Sequence, residues 1–159
     1  MRPSLFLLGP VLLLAALGSG AASAANKDVP YWAAMRADEV NMRVGPGEDY
    51  RISWVYRRRQ LPMKVVRIKE GWRLAQDPDG AQGWILSRFL TRERGAIVTA
   101  GEPAEMREKP GGAGRLLWRL QRGVTGVLKD CADNWCRLDV GHGRAGFVSQ
   151  QRLWGAGEP

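Results

Sequence analysis

Histidine is nearly missing from this 159-residue chain. There is one, His142, together with only two cysteines, Cys131 and Cys136. So thin a supply of soft ligands excludes most multi-ligand zinc sites and any scaffold stapled by several disulfides. Catalytic signatures are missing as well: no G-x-S-x-G elbow, Walker-type glycine loop or H-E-x-x-H pair occurs. A Cys–His nucleophile would have to use His142, and Gly141-His142-Gly143 reads as an exposed turn. The paired carboxylates Asp38-Glu39 and Glu48-Asp49 stand in polar surroundings, unlike the apolar pockets that make a carboxyl a general acid. Helical periodicity is absent beyond the N-terminus, as is any later apolar run of membrane-spanning length. The chain does not read as an enzyme, and neither a cofactor nor a metal is expected.

What is present begins with an export signal. Arg2 precedes an apolar run, Leu5 to Leu8 and Val11 to Leu17, interrupted by Gly9 and Pro10 and followed by small residues. An A-x-A-like cleavage site lies at Ala22-Ser23-Ala24, with Ser23-Ala24-Ala25 as the alternative. The unbroken stretch is shorter than the roughly 20 residues of a spanning helix, so a cleaved signal helix over residues 1–24 is expected rather than an anchor. The mature chain then carries 23 Lys+Arg against 16 Asp+Glu, with no membrane span, and is expected in the periplasm or outside the cell. Apolar residues at 45% and charged residues at 25% are ordinary for a folded globular protein.

A repeat organises the rest. Met42, Arg43, Pro46 and Trp54 recur as Met106, Arg107, Pro110 and Trp118 at an offset of 64. Trp72, Gly83-Trp84-Ile85 and Leu90 recur as Trp135, Gly146-Phe147-Val148 and Leu153 at an offset of 63, so one residue is lost in a loop between. Two copies are expected, over residues 31–94 and 95–155, with Arg94 to Glu102 joining them closely. Short apolar runs bounded by turn signals such as Asp77-Pro78-Asp79-Gly80 make each copy all-β. Copies this small are marginal alone. The seven tryptophans, set against three Tyr and three Phe, are expected mostly in the core, since each buried ring removes about 150–250 Å² from water.

The order Asn41-x-Arg43-x-Gly45-Pro46, Trp72-Arg73-Leu74, Gly83-Trp84-Ile85 and Leu90 resembles the bacterial SH3 domain family. The second copy departs from it at Glu105, Lys109 and Phe147. The resemblance implies tandem five-stranded SH3-like β-barrels and a non-catalytic binding role in the bacterial cell envelope. It leaves the ligand unnamed, because a scaffold does not fix a function. The expected partner is a peptidoglycan peptide, with another exported envelope protein as the alternative. Export argues against nucleic acid.

Three further readings come from the residues. Cys131 and Cys136 flank a turn-forming Asp133-Asn134, so they can oppose each other across a hairpin, and in an exported protein a disulfide is the default. Closing so short a loop contributes about 2 kcal/mol in the chain-entropy treatment. Tyr50, Trp72 and Phe89 are the candidate groove residues of the first copy, although Trp72 serves equally well as core. Arg57-Arg58-Arg59 gives that copy a charged flank that suits an anionic partner, and a solvated face accounts for the run equally well.

Overall fold

Val40 and Met42 alternate with Asn41 and Arg43, and this period of two becomes a strand with both apolar side chains buried. The same logic builds every element in the computed structural model, which describes residues 28–99 and 101–159. The expected signal segment lies outside those residues. The first domain runs β1 (Tyr31–Met35), β2 (Val40–Arg43), β3 (Ile52–Tyr56), β4 (Pro62–Lys69), β5 (Trp72–Gln76), β6 (Gln82–Leu86) and β7 (Leu90–Thr91). The second runs β8 (Gly95–Val98), β9 (Ala104–Arg107), β10 (Leu116–Leu120), β11 (Thr125–Ala132), β12 (Trp135–Asp139), β13 (Ala145–Ser149) and β14 (Leu153–Trp154). Single 3-10 turns, Ser87–Phe89 and Gln150–Arg152, precede β7 and β14.

Each domain is one sheet of seven strands. The order is β3-β2-β6-β5-β4-β1-β7 in the first and β10-β9-β13-β12-β11-β8-β14 in the second, so the two topologies are identical. The protein is all-β as expected, but the barrels are not closed. β3 and β7 stand at opposite edges of their sheet, as do β10 and β14. The last strands are two residues long and dock only onto β1 and β8, too short a ladder to seal the sheet on itself. The lost residue falls where β3 meets β4: residues 57–61 join them, whereas 121–124 join β10 to β11. Gly95–Val98, read from sequence as part of a connection, is a strand paired with both β11 and β14.

The expectation of tryptophan cores is not met. Trp72 and Trp84 are buried, but Trp54 and Trp118 are exposed and the others are half-buried. Methionine and small aliphatics fill the interiors instead, led by Met35, Met42 and Met63 in one domain and Met106, Leu138 and Val148 in the other. The repeated glycine of Gly83-Trp84 and Gly146-Phe147 explains why. A Cβ on Gly83 would lie 2.4 Å from Met42 Cγ, and one on Gly146 would lie 2.6 Å from Met106 Cγ. An interior that tight takes an unbranched thioether more easily than an indole.

The domains are fastened to each other. Trp32 and Trp154 meet edge to face with centroids 4.6 Å apart, and Ile97 of β8 packs against the first core. Arg94, at the joint, holds Nη2 at 2.9, 2.9 and 3.0 Å from the carbonyls of Gly155, Ala156 and Gly157, which share its two N–H groups. Trp32 Nε1 donates to the Gly157 carbonyl at 2.6 Å, so the last residues form a strap across the first domain.

Candidate binding cleft between the domains

The loop that differs between the copies lines a cleft of about 640 Å³ between the domains. The first domain supplies the end of β3, the 57–61 loop and the Asp77–Asp79 turn; the second supplies the end of β8 and the turn at Arg122-Gly123. Val55, Leu61, Ile97 and Val98 make the apolar part of the wall.

Its polar centre is a tyrosine held by an aspartate. Tyr56 donates its hydroxyl to Asp77 Oδ2 at 2.8 Å. Asp77 is only 7% exposed, and its Oδ1 accepts the backbone N–H groups of Asp79 and Ala81 at 3.0 and 2.8 Å. The Asp77-Pro78-Asp79-Gly80 turn signal therefore has a mechanism: the carboxylate closes the turn with one oxygen and fixes a phenol with the other. Burial first, then the hydrogen bond to Asp77 and the negative charge of Asp77 and Asp79, push the Tyr56 phenol well above the usual tyrosine range. At the equivalent positions the second copy has Leu120 and Val140, both packed with its core, so the polar pair belongs to the first domain alone.

Arginines sit on the rim, and the basic run is split among three tasks. Arg57 pairs with Glu39 at 2.9 Å and Arg59 with Asp38 at 3.4 Å, both in the open. Arg58 crosses to the second domain, donating through Nη1 to the Gly123 carbonyl at 2.5 Å. From the facing turn, Arg122 stands 3.7 Å from Asp79, with the two side chains 68% and 83% exposed. Arg57 and Arg58 line the cleft; Arg59 does not.

The candidate aromatic groove residues are spread out. Tyr50 is half exposed, its ring lying so close over Gly45 that a Cβ there would meet the ring at 2.2 Å. Arg43 clamps this loop by donating to the Tyr50 carbonyl at 2.7 Å, as Arg107 does to the Gly114 carbonyl at 3.1 Å in the second copy. The Met-Arg of the opening motif is thus structural: methionine fills the core and arginine ties the loop. Trp72 is buried at the start of β5, and Phe89 is half-buried against the first core beneath Arg88. Tyr50 instead lies in the loop before β3, where Ile52 and Trp54 are exposed, and Val44 at the start of the same loop is exposed too.

Cys131 and Cys136 are directly opposed in register and joined as a disulfide, bearing out the sequence reading. Asp133 and Asn134 both take positive φ, 49° and 63°, which is the two-residue turn that a tight hairpin prefers. Among the described residues, no group of three or more His, Cys, Asp or Glu could hold a metal ion, and no helix is long and apolar enough to cross a membrane.

Fold and topology define a tandem all-β protein of two SH3-like units. Comparison with known families makes the assignment specific: the bacterial SH3 domain pattern matches residues 36–91 and again 100–155. The chain belongs to the bacterial SH3 domain family. A Bacillus subtilis protein named "Putative N-acetylmuramoyl-L-alanine amidase YrvJ" is 25% identical over 135 residues, which is 79% of this chain and 26% of that protein. The chain thus spans about a quarter of that relative's length. Among solved structures, NlpC2 of Trichomonas vaginalis matches with a TM-score of 0.36 at 12% identity, covering 79% of this chain and 48% of that one. NlpC1 of the same organism gives 0.35 at 12%, covering 79% and 45%.

Proposed function

We propose that this protein is a non-catalytic binding module of the bacterial cell envelope, exported behind its N-terminal signal, that takes cell-wall peptides. The observation that carries the reading is the exposure of Ile52 (39%) and Trp54 (57%) on the open edge strand of the first sheet, with Val44 and Tyr50 also exposed in the loop that leads into it. Free sheet edges are ordinarily blunted or covered. An aromatic-bearing edge is suited to an extended peptide, which can add main-chain hydrogen bonds along β3 while its side chains rest on the rings. Family membership over both halves and a relative named for a muramoyl–alanine amidase support a cell-wall partner. The non-catalytic part is supported by the disulfide, which leaves no free thiol in the chain to work with His142.

Sedimentation of purified protein with peptidoglycan sacculi tests the reading. Retention is expected, and Trp54→Ala should weaken it about tenfold, as the loss of an aromatic anchor does. No retention on sacculi, with capture of a soluble envelope protein instead, would assign the edge to an adaptor role. Release of soluble fragments from sacculi by the pure protein would make it an enzyme.

A further inference from the structure

The cleft takes up only the last two residues of β3, Val55 and Tyr56, beyond the exposed Ile52 and Trp54, and it has its own chemistry. We propose that the cleft is a second binding site that takes the C-terminal carboxylate of a short peptide ending in small apolar residues. The proposal relies on the cell-wall reading only for the source of such peptides.

Two guanidinium groups are poised for a carboxylate, one from each domain. A guanidinium has five N–H donors, and the bond from Arg58 to the Gly123 carbonyl occupies one of its terminal nitrogens. Arg122 is held only by a loose pair with Asp79, 3.7 Å apart and largely in solvent, the kind of contact that a ligand carboxylate can replace with a bidentate one. Val55 and the half-buried Ile97 offer apolar surface for the terminal side chains, with Leu61 and Val98 buried behind them. Between the two regions lies Tyr56. Its hydroxyl donates to Asp77 and lies 3.6 Å from the buried Met42 Sδ, so the fixed phenol forms part of the cleft wall. Asp77 is a positioning residue: both its oxygens are occupied, and it sets the phenol's direction and keeps it neutral. The volume, about 640 Å³, lies within the range of small-ligand pockets. That the second copy has Leu120 and Val140 where the first has Tyr56 and Asp77 limits this chemistry to one site per chain.

Calorimetric titration of the intact mature protein with trialanine, as the free acid and as the C-terminal amide, tests the proposal. The acid should bind and the amide should bind at least about tenfold more weakly, the scale of a lost charge-assisted contact. Arg122→Gln should reduce acid binding several-fold at unchanged melting temperature and leave the amide unaffected; Arg58→Gln should reduce acid binding similarly, with a small fall in melting temperature from the lost bond to Gly123. Equal binding of acid and amide, or displacement by equimolar inorganic phosphate, would overturn the site. So would full affinity in both arginine variants. The two readings separate cleanly: trialanine binding without sacculus retention supports the cleft and removes the edge site. Sacculus retention with no trialanine binding does the reverse.

Discussion

Adding one methyl group at Gly83 is expected to unfold the first domain at a much lower temperature. A Cβ at this position would stand 2.4 Å from Met42 Cγ, 2.8 Å from Met42 Sδ and 2.9 Å from the carbonyl oxygen of Arg43. Met42 is fully buried and has nowhere to swing, and the Arg43 carbonyl belongs to β2, which is hydrogen-bonded between β3 and β6. The strain must therefore pass into the backbone. Overpacking of this kind costs about 1–3 kcal/mol, and a clash with both a buried side chain and a main-chain oxygen belongs at the upper end. For a domain of this size each kcal/mol is worth roughly 4–8 °C, so a fall of about 10–20 °C in the first domain's transition is expected by scanning calorimetry. Gly146→Ala should do the same to the second domain, with contacts of 2.6 Å to Met106 Cγ and 2.8 Å to the Arg107 carbonyl. Gly71→Ala is the control: no heavy atom lies within 4 Å of its Cβ, so stability should stay within about 0.5 kcal/mol of wild type. A Gly83→Ala protein that melts with the wild type would refute the reasoning, because the glycine would then not be there to let β6 cross the methionine.

Cys131→Ser should lower the stability of the second domain by about 2 kcal/mol in urea and leave the first domain nearly unchanged, while native protein shows no titratable thiol until reduced. Two reactive thiols in the untreated protein would contradict this. Tyr56 has a folded pKa raised above its unfolded value, so its contribution is fully present below about pH 10 and is lost as pH climbs past that point. The urea midpoint should accordingly fall in alkaline buffer, and Tyr56→Phe should flatten that fall while costing about 1–2 kcal/mol at neutral pH through the partner lost to Asp77. Arg57→Gln combined with Arg59→Gln removes two exposed ion pairs and should shift stability by less than about 1 kcal/mol. The same variant should slow association with sacculi at low salt and flatten its salt dependence. Association insensitive to both would place these arginines on a merely solvated face.

Much of the architecture could be read from local pattern. The shift of offset from 64 to 63 announced two copies and a shortened loop, and the structure puts the missing residue after β10. Asp133-Asn134 between two cysteines gave the hairpin and its disulfide, because turn chemistry and register are short-range properties. Packing was less accessible. A tryptophan in a small domain looks like core by hydrophobicity, yet depth below the sheet decides, and here Gly83 and Gly146 bring strands too near their methionines for a ring. Gly95–Val98 passed for a connection because four residues beginning Gly-Ala carry little strand signal, and its pairing partners arrive 28 or more residues later. The cleft was missed for the same reason: its walls come from four separate stretches of chain. One clue did stand in the sequence. Tyr56 and Asp77 are polar where their repeat partners, Leu120 and Val140, are apolar, and such a break in an internal repeat marks a position with a task other than packing.

The strap that runs from Gly155 to Gly157 has a mechanical consequence. Trp32, near the beginning of the folded chain, and Gly157, near its end, are bonded to each other, and Arg94 grips the carbonyls beside them. Tension applied between the two ends is therefore borne first by this latch and by the Trp32–Trp154 contact, over a span of a few ångströms. The two sheets in between feel no pull until the latch opens. Once it opens, the load reaches β1, which carries Trp32, and β14, which carries Trp154. A wall-bound protein held at both ends would keep its cleft intact under strain up to the strength of one indole bond and three carbonyl contacts.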